Sequence, residues 1–167
     1  MCRLTEFAKP TLYKYFGSKE EIFYSVLLDG YSDLESILRG ARKKARVTDQ
    51  FRHVCVMYLI YFRKHLDFFQ IHRQVGDRLK REATVPQQEE AKLALGRVHS
   101  GMEAMFHDGL MLGEFRPMDP KKTCLIFFEA LSVYTYAFRE EKELRTAHEM
   151  ADEVLTLFLD GLRLTVA

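Results

Sequence analysis

Apolar residues recur along most of the chain at the three- and four-residue spacing of an amphipathic helix. One series runs from Ile22 to Ala41, a second from Phe51 to Phe62, a third from Leu66 to Leu79 and a fourth from Ala91 to Leu110. No stretch alternates between apolar and polar residues for long enough to predict a β-strand. The pattern therefore predicts an all-α protein, and no internal repeat interrupts it.

Local signals for helix ends agree with these series. Ser18–Glu21 has the order of a capping box, and Thr84–Gln87 has it again with a proline in the first turn. Asp119 precedes Pro120, which predicts a cap followed by a proline at the first helical position. Gly113 closes the fourth series and Gly17 closes the segment before Ser18.

The last two predicted helices, Thr123–Phe138 and 147–164, are apolar nearly all round. A helix without a polar face must be covered on two sides. In so short a chain we expect a second subunit to provide one side, although a central helix wrapped by its own chain would show the same pattern. The candidate dimer contacts are Leu125, Phe128, Val133, Tyr136, Val154, Leu155, Phe158 and Leu162.

Composition and charge narrow the class of protein. The chain has 167 residues, of which 47% are hydrophobic and 29% charged, as in globular domains, and its net charge of +1 favours no particular partner. No apolar run reaches the roughly 18 residues of a membrane helix, and no secretory signal is evident at the start. Cys2, Cys55 and Cys124 are odd in number and far apart. This predicts a cytoplasmic protein with reduced thiols and without a disulfide framework or zinc cluster.

The first 19 residues hold four basic residues and one acidic residue, a local charge of +3. The spacing predicts a short helix that starts near Lys9, has Pro10 in its first turn and ends at Gly17. Basic, hydroxyl and phenolic groups on its free side suit the major groove of DNA. A basic helix end that is simply solvated would show the same residues.

The same residues carry a resemblance. Thr11-Leu12-Tyr13-Lys14-Tyr15-Phe16, followed after a short turn by Lys19-Glu20-Glu21-Ile22, resembles the recognition-helix signature of the TetR family of bacterial transcriptional regulators. The segments 113–120 and 158–163 are also similar to sequence motifs of that family. Residues 30–110 match only in helix pattern.

The resemblance implies a TetR-like fold, with residues 1–28 forming the remainder of a helix-turn-helix head and residues 29–167 a ligand-binding and dimerisation domain. The family's first helix and most of its second would precede Phe7. Leu12 and Phe16 would be structural. The implied DNA contacts are Lys9, Thr11, Tyr13, Lys14, Tyr15 and Lys19.

Members of the family bind a small molecule inside the C-terminal helical domain. The candidate ligand contacts are Tyr58, Phe62, Phe69, His72, Met102, Phe106, Phe127, Glu129 and Tyr134. Aromatic residues of this kind also fill cores, and His72 is as easily a core histidine bonded to a carbonyl. Glu129 lies in the most apolar helix, and a buried carboxylate needs a partner. The candidates are a group across the dimer, Arg63 or Arg73, or a cationic ligand. His99, Glu103 and His107 share one helix row, which we expect to be a solvated face rather than a metal site.

The resulting hypothesis is a homodimeric, DNA-binding repressor, released from operator DNA by a small lipophilic or aromatic effector. It requires no metal, cofactor or membrane, and it is not an enzyme. The alternatives are a helical small-molecule binding protein without a DNA role, and an all-α enzyme that uses the same pocket.

Overall fold

All elements in the described part of the chain are helices, as predicted from the periodicity. The structure, a computed structural model, describes residues 18–140 and 146–161, except for the side chains of residues 19, 75–82 and 136–140. The helices are α1 (Lys19–Ala41), α2 (Val47–Lys64), α3 (Leu66–Glu82), α4 (Val85–Met111), α5 (Pro120–Glu140) and α6 (Ala147–Leu159). None of these described helices has the length and apolar character needed to cross a membrane.

Three helices, α1, α4 and α5, begin at the caps that the sequence predicts. The Ser18 hydroxyl accepts a hydrogen bond from the Glu21 N–H at 3.1 Å, and α1 starts one residue later. Asp119 Oδ1 accepts from the N–H groups of the two lysines that follow Pro120, at 3.0 and 3.1 Å. These bonds satisfy N–H groups that have no partner inside the helix, and each such cap contributes roughly 1 kcal/mol.

The end of α4 depends on two glycines. Gly113 adopts φ +70°, a conformation that favours glycine, and turns the chain away from the helix. The N–H groups of Glu114 and Phe115 then donate to the Gly109 carbonyl at 2.9 and 3.1 Å. A Cβ at Gly109 would lie 2.3 Å from the Phe115 ring, so this close approach needs glycine. The turn buries Phe115 in the core.

Phenylalanine rings from separate helices form the centre of the core. Phe51 of α2 contacts Phe106 of α4 and Phe127 of α5, with ring centroids 4.5 and 5.4 Å apart. Phe158 of α6 lies 5.0 Å from Phe127. Burying one such side chain stabilises the fold by about 1.5–3 kcal/mol, so the cluster fixes how α2, α4, α5 and α6 pack.

Helix α1 packs against α2, α3 and α4. At Gly30 the Phe68 ring of α3 lies against the backbone of α1, where a Cβ would meet ring carbons at 2.1 Å. The missing side chain lets the two helices approach closely. The boundary between residues 28 and 29, drawn from the family resemblance, falls inside α1, so one continuous helix crosses it.

We expect Gly30→Ala to destabilise the protein by about 1–3 kcal/mol, because the added methyl overlaps the buried Phe68 ring. Gly96→Ala is the matched control, since it is also in a helix and its Cβ would have no neighbour within 4 Å. That change should be neutral or stabilising by up to about 1 kcal/mol. Denaturant unfolding of both variants tests this, and equal effects would contradict the close α1–α3 contact.

Candidate functional site

A cavity of about 250 Å³ lies between α1, α2, α3, α4 and α5. An apolar cavity of about 150 Å³ holds a benzene molecule, so this one admits a ring with a short substituent. It is lined by Leu34, Tyr58, Phe62, Leu66, Phe68, Phe69, Gln70, His72, Arg73, Leu95, Val98, His99, Leu125, Phe128, Glu129, Ser132 and Thr135.

Aromatic rings of α2 and α3 form the apolar wall. Phe69 lies 5.3 Å from Tyr58, 4.8 Å from Phe62 and 4.9 Å from Phe68 between ring centroids, with tilted or edge-on planes. Rings in these orientations attract one another beyond their burial. The wall is therefore a rigid, preformed surface for an apolar ligand.

His72 is a polar residue of the cavity wall whose hydrogen-bond partner lies on another helix. The hydroxyl of Tyr31, a buried residue of α1, lies 3.0 Å from His72 Nδ1. Burial raises the pKa of the Tyr31 phenol, so the hydroxyl keeps its proton. We infer that it donates this proton to Nδ1, because no other acceptor for it is present among the described residues. Nδ1 then accepts, and the neutral ring carries its proton on Nε2. Burial, and secondly His99, lower the pKa of His72, while Glu129 acts in the opposite direction.

His99 of α4 is a second histidine of the cavity. Its ring lies 5.1 Å from that of Phe128, and burial lowers its pKa. The prediction of a solvated row is wrong for His99, although His107 is exposed. The row winds slowly around α4, so its first member turns with Leu95 and Val98 towards α3 and α5. Among the described residues, no group of three or more histidine, cysteine or acidic side chains is placed to hold a metal.

The cavity opens between α3 and α5. Its exposed lining residues belong to these two helices and are Leu66, Gln70, Arg73, Leu125 and Glu129. Glu129, which we expected to be buried in an apolar helix, instead reaches solvent at this rim. The rim thus carries one acidic and one basic side chain around an aromatic interior.

Comparisons with known proteins identify the fold. Neither a family model nor a curated protein sequence matches this chain. Among solved structures, the TetR family transcriptional regulator PfmR from Thermus thermophilus superposes with a TM-score of 0.77 and 22% identity, over 90% of this chain and 81% of that one. The chain has the TetR fold.

Two further structures with similar folds extend this finding. A Clostridium perfringens protein assigned a role as fatty acid metabolism regulator matches with a TM-score of 0.71 and 22% identity, over 95% of this chain and 84% of that one. A TetR/AcrR family regulator from Thermobifida fusca matches with a TM-score of 0.64 and 20% identity, over 95% and 82%. The TetR fold thus spans nearly the whole chain.

Within this TetR fold, five of the candidate ligand contacts meet at the cavity and four do not. Tyr58, Phe62, Phe69, His72 and Glu129 line it. Met102, Phe106 and Phe127 are fully buried in the core, and Tyr134 is half-buried outside the lining. These three core residues lie on the sides of α4 and α5 that face away from the cavity. Helical spacing alone does not predict which buried side of a helix faces a cavity.

Several cavity residues were not among the candidates. Leu125 and Phe128, which we expected at a dimer interface, line the cavity. His99, Arg73 and Thr135 line it as well. The helical spacing of Leu95, Val98 and His99 is a signal that places them on one flank of α4. It does not say which other helix faces that flank.

The candidate dimer residues separate into exposed and buried groups. Leu125 and Val133 are exposed, Leu155 and Phe158 are half-buried, and Val154 is 1% exposed because its own chain covers it. Leu162 and the side chain of Tyr136 lie outside the described residues. Two apolar residues that were not candidates, Ile126 of α5 and Leu157 of α6, are among the most exposed.

The expected DNA contacts Lys9, Thr11, Tyr13, Lys14 and Tyr15 lie outside the described residues. Lys19 is the first residue of α1, and its side chain is not described. The described structure therefore fixes only where α1 starts, directly after the segment that resembles a recognition helix.

Lowering the pH should weaken the fold through His72. Because its folded-state pKa lies below the ordinary 6.5, the unfolded chain binds the proton first. The free energy of unfolding should fall as the pH drops through 6.5, and this loss should stop below the folded-state pKa. His72→Gln should reduce the pH slope, whereas Gln70→Ala, a rim change without a titrating group, should keep it. An NMR titration midpoint of His72 at or above 6.5 would contradict this.

Proposed function

We propose that the chain is a DNA-binding transcriptional regulator of the TetR type, acting in the cytoplasm as a homodimer. Its DNA affinity changes when a small molecule fills the cavity. The observation that carries the proposal is the position of α1. This helix starts directly after the segment that resembles a recognition helix, and it also forms part of the cavity wall.

The contacts of α1 provide a physical link between ligand and DNA. Leu34 of α1 lines the cavity, and Tyr31 holds His72 by its hydrogen bond. Tyr31 lies 12 residues after Lys19, which corresponds to about 18 Å along a helix. A ligand that moves the His72 ring therefore also moves α1, because Tyr31 of α1 is bonded to that ring. The first residue of α1 adjoins the segment proposed to contact DNA.

The proposed mechanism is a shift between two populations. Two recognition helices of a dimer fit successive major grooves only when they are about 34–36 Å apart. A ligand that binds better to a dimer with a different spacing favours that state and reduces DNA affinity. The protein would then be a repressor that the effector releases from its operator.

A lipophilic or aromatic effector suits the cavity best. Its interior is formed by aromatic and aliphatic side chains, and a pocket of that composition gains binding energy mainly from apolar burial. We propose no catalytic role and no resident cofactor.

The second candidate function is small-molecule binding without DNA. The cavity alone would suffice for it, whereas the motif at residues 11–22 would have no role. DNA binding by the full-length protein separates the two.

Full-length protein should retard a palindromic fragment of its own promoter region. Lys14→Ala should weaken this binding and make the plot of log affinity against log salt shallower by about 1, because one phosphate contact is lost. Lys43→Ala is the control, since the exposed Lys43 follows the far end of α1, about 34 Å from its start. Equal effects of the two changes, or no sequence-selective binding, would favour the alternative without a DNA role.

The proposed dimer uses the exposed faces of α5 and α6. Ile126 and Val133 are 61% and 64% exposed and seven residues apart, so they share one face of α5. Leu157 on α6 is 70% exposed. Apolar residues clustered on adjoining helices indicate an interface, whereas isolated ones do not. Phe158 packs on Phe106 and Phe127 and instead supports the core beneath.

Leu157→Glu should convert dimers to monomers, because the pairing of two such faces would bury unpaired carboxylates. Leu93→Glu on α4 is the matched control, since Leu93 is exposed to a similar degree, 64%, on another helix. Sedimentation equilibrium should give the mass of one chain for the first variant and of two for the second. Two chains in both variants would contradict the proposed interface.

A further inference from the structure

The hydrogen bonds around His72 assign a chemical class to the ligand of the cavity, provided that the cavity is the effector site proposed above. We propose that it takes a small, neutral, mainly aromatic molecule with one hydrogen-bond acceptor, such as a ketone, whose acceptor atom bonds to His72 Nε2–H. Charged molecules of the same size are disfavoured.

The two ring nitrogens of His72 differ in whether they are free to bind a ligand. Nδ1 is occupied by the Tyr31 hydroxyl at 3.0 Å. Among the described residues, Nε2 has no hydrogen-bond partner. Every fully buried side-chain nitrogen or oxygen among these residues does have one, so Nε2 is not fully buried. Nε2 is therefore accessible, and because His72 lines the cavity we infer that Nε2 faces it.

The tautomer of His72 decides the role of Nε2. With the Tyr31 hydroxyl as the donor to Nδ1, as inferred above, the ring carries its proton on Nε2 and presents an N–H. Since Tyr31 is buried between α1 and α3, this orientation is fixed before a ligand arrives. A preformed donor in an apolar cavity selects ligands that carry an acceptor, because a ligand without one leaves the N–H unpaired.

Charge also restricts the ligand. Among the described residues, the ionisable groups around the His72 ring are Tyr31 on α1, Tyr58 on α2, Arg73 on α3, His99 on α4 and Glu129 on α5. Burial lowers the pKa of both histidines and keeps them neutral near pH 7, so among the described lining residues only Arg73 offers a cation to an anionic ligand. The charged groups Arg73 and Glu129 lie at the rim, where they remain hydrated. A charged head beside His72 would lose its hydration and would have only these two hydrated rim groups as counter-charges, at the cavity mouth.

The cavity volume limits the ligand to about one ring and a short chain. Four probes of this size differ only in the head group. They are 4-phenylbutan-2-one, butylbenzene, 3-phenylpropanoate and protonated 4-phenylbutan-2-amine. Titration calorimetry at about pH 7.5 with the purified chain should show the ketone binding about fivefold to tenfold more tightly than butylbenzene, and the two ions more weakly than both.

The variants locate the effect at Nε2. His72→Phe keeps a ring of similar size but removes the donor, so the ketone should lose about fivefold to tenfold in affinity while butylbenzene changes by less than about twofold. His107→Phe is the matched control, since His107 is exposed on α4 outside the cavity, and it should leave all four affinities unchanged. If His72→Phe does not fold, the ranking of the four probes on the unmodified chain still decides the proposal.

Three outcomes would overturn the inference: no binding of the ketone, binding of either ion more tightly than the ketone, or equal losses for ketone and butylbenzene in His72→Phe. These results are independent of DNA. Ketone binding that leaves operator affinity unchanged would refute the proposed regulatory function and leave the ligand class intact. DNA binding without ketone binding would refute the proposed ligand class and leave the proposed DNA-binding function intact.

Discussion

The packing of α1 against α3 is the constraint on which the rest of the site depends. Gly30 allows the Phe68 ring to lie on the α1 backbone, and this close approach brings the Tyr31 hydroxyl within 3.0 Å of His72. Phe68 and His72 are one helical turn apart and both line the cavity, so the contact sets the position of its wall. A larger residue at position 30 would separate the helices and alter the cavity and the histidine together.

The same contact joins two regions that differ in chemistry. On one side lies a core of interlocking phenylalanines from α2, α4, α5 and α6, which leaves little freedom to those helices. On the other side lies a cavity whose wall includes one residue of α1 and several of α3. Because the core resists change, we expect the response to a ligand to concentrate in α1 and α3. In the proposed regulator, α1 is the helix that adjoins the DNA-reading segment.

The polar groups of the cavity are separated by charge. Charged side chains lie at the rim on α3 and α5, and neutral hydrogen-bonding groups lie inside. The rim also adjoins the exposed face of α5. Leu125 is the sequence neighbour of Ile126, and Glu129 lies one helical turn before Val133. In the proposed dimer, entry to the cavity and the interface between subunits would therefore be neighbouring surfaces, and ligand binding and subunit arrangement would be physically connected.

The sequence by itself determined the helical segments, the caps of α1, α4 and α5, and the fold. These features rest on local chemistry: the apolar spacing of α1 to α6, the Ser18 and Asp119 caps, and the motif around Thr11 and Lys19. The tertiary structure decided which face of each helix meets which neighbour. It placed Met102 and Phe127 in the core but His99 in the cavity, and it brought Tyr31 to His72 across 41 residues of sequence. Helical periodicity shows that a face is buried; only the packing of several helices determines whether it meets a neighbouring side chain or an open cavity.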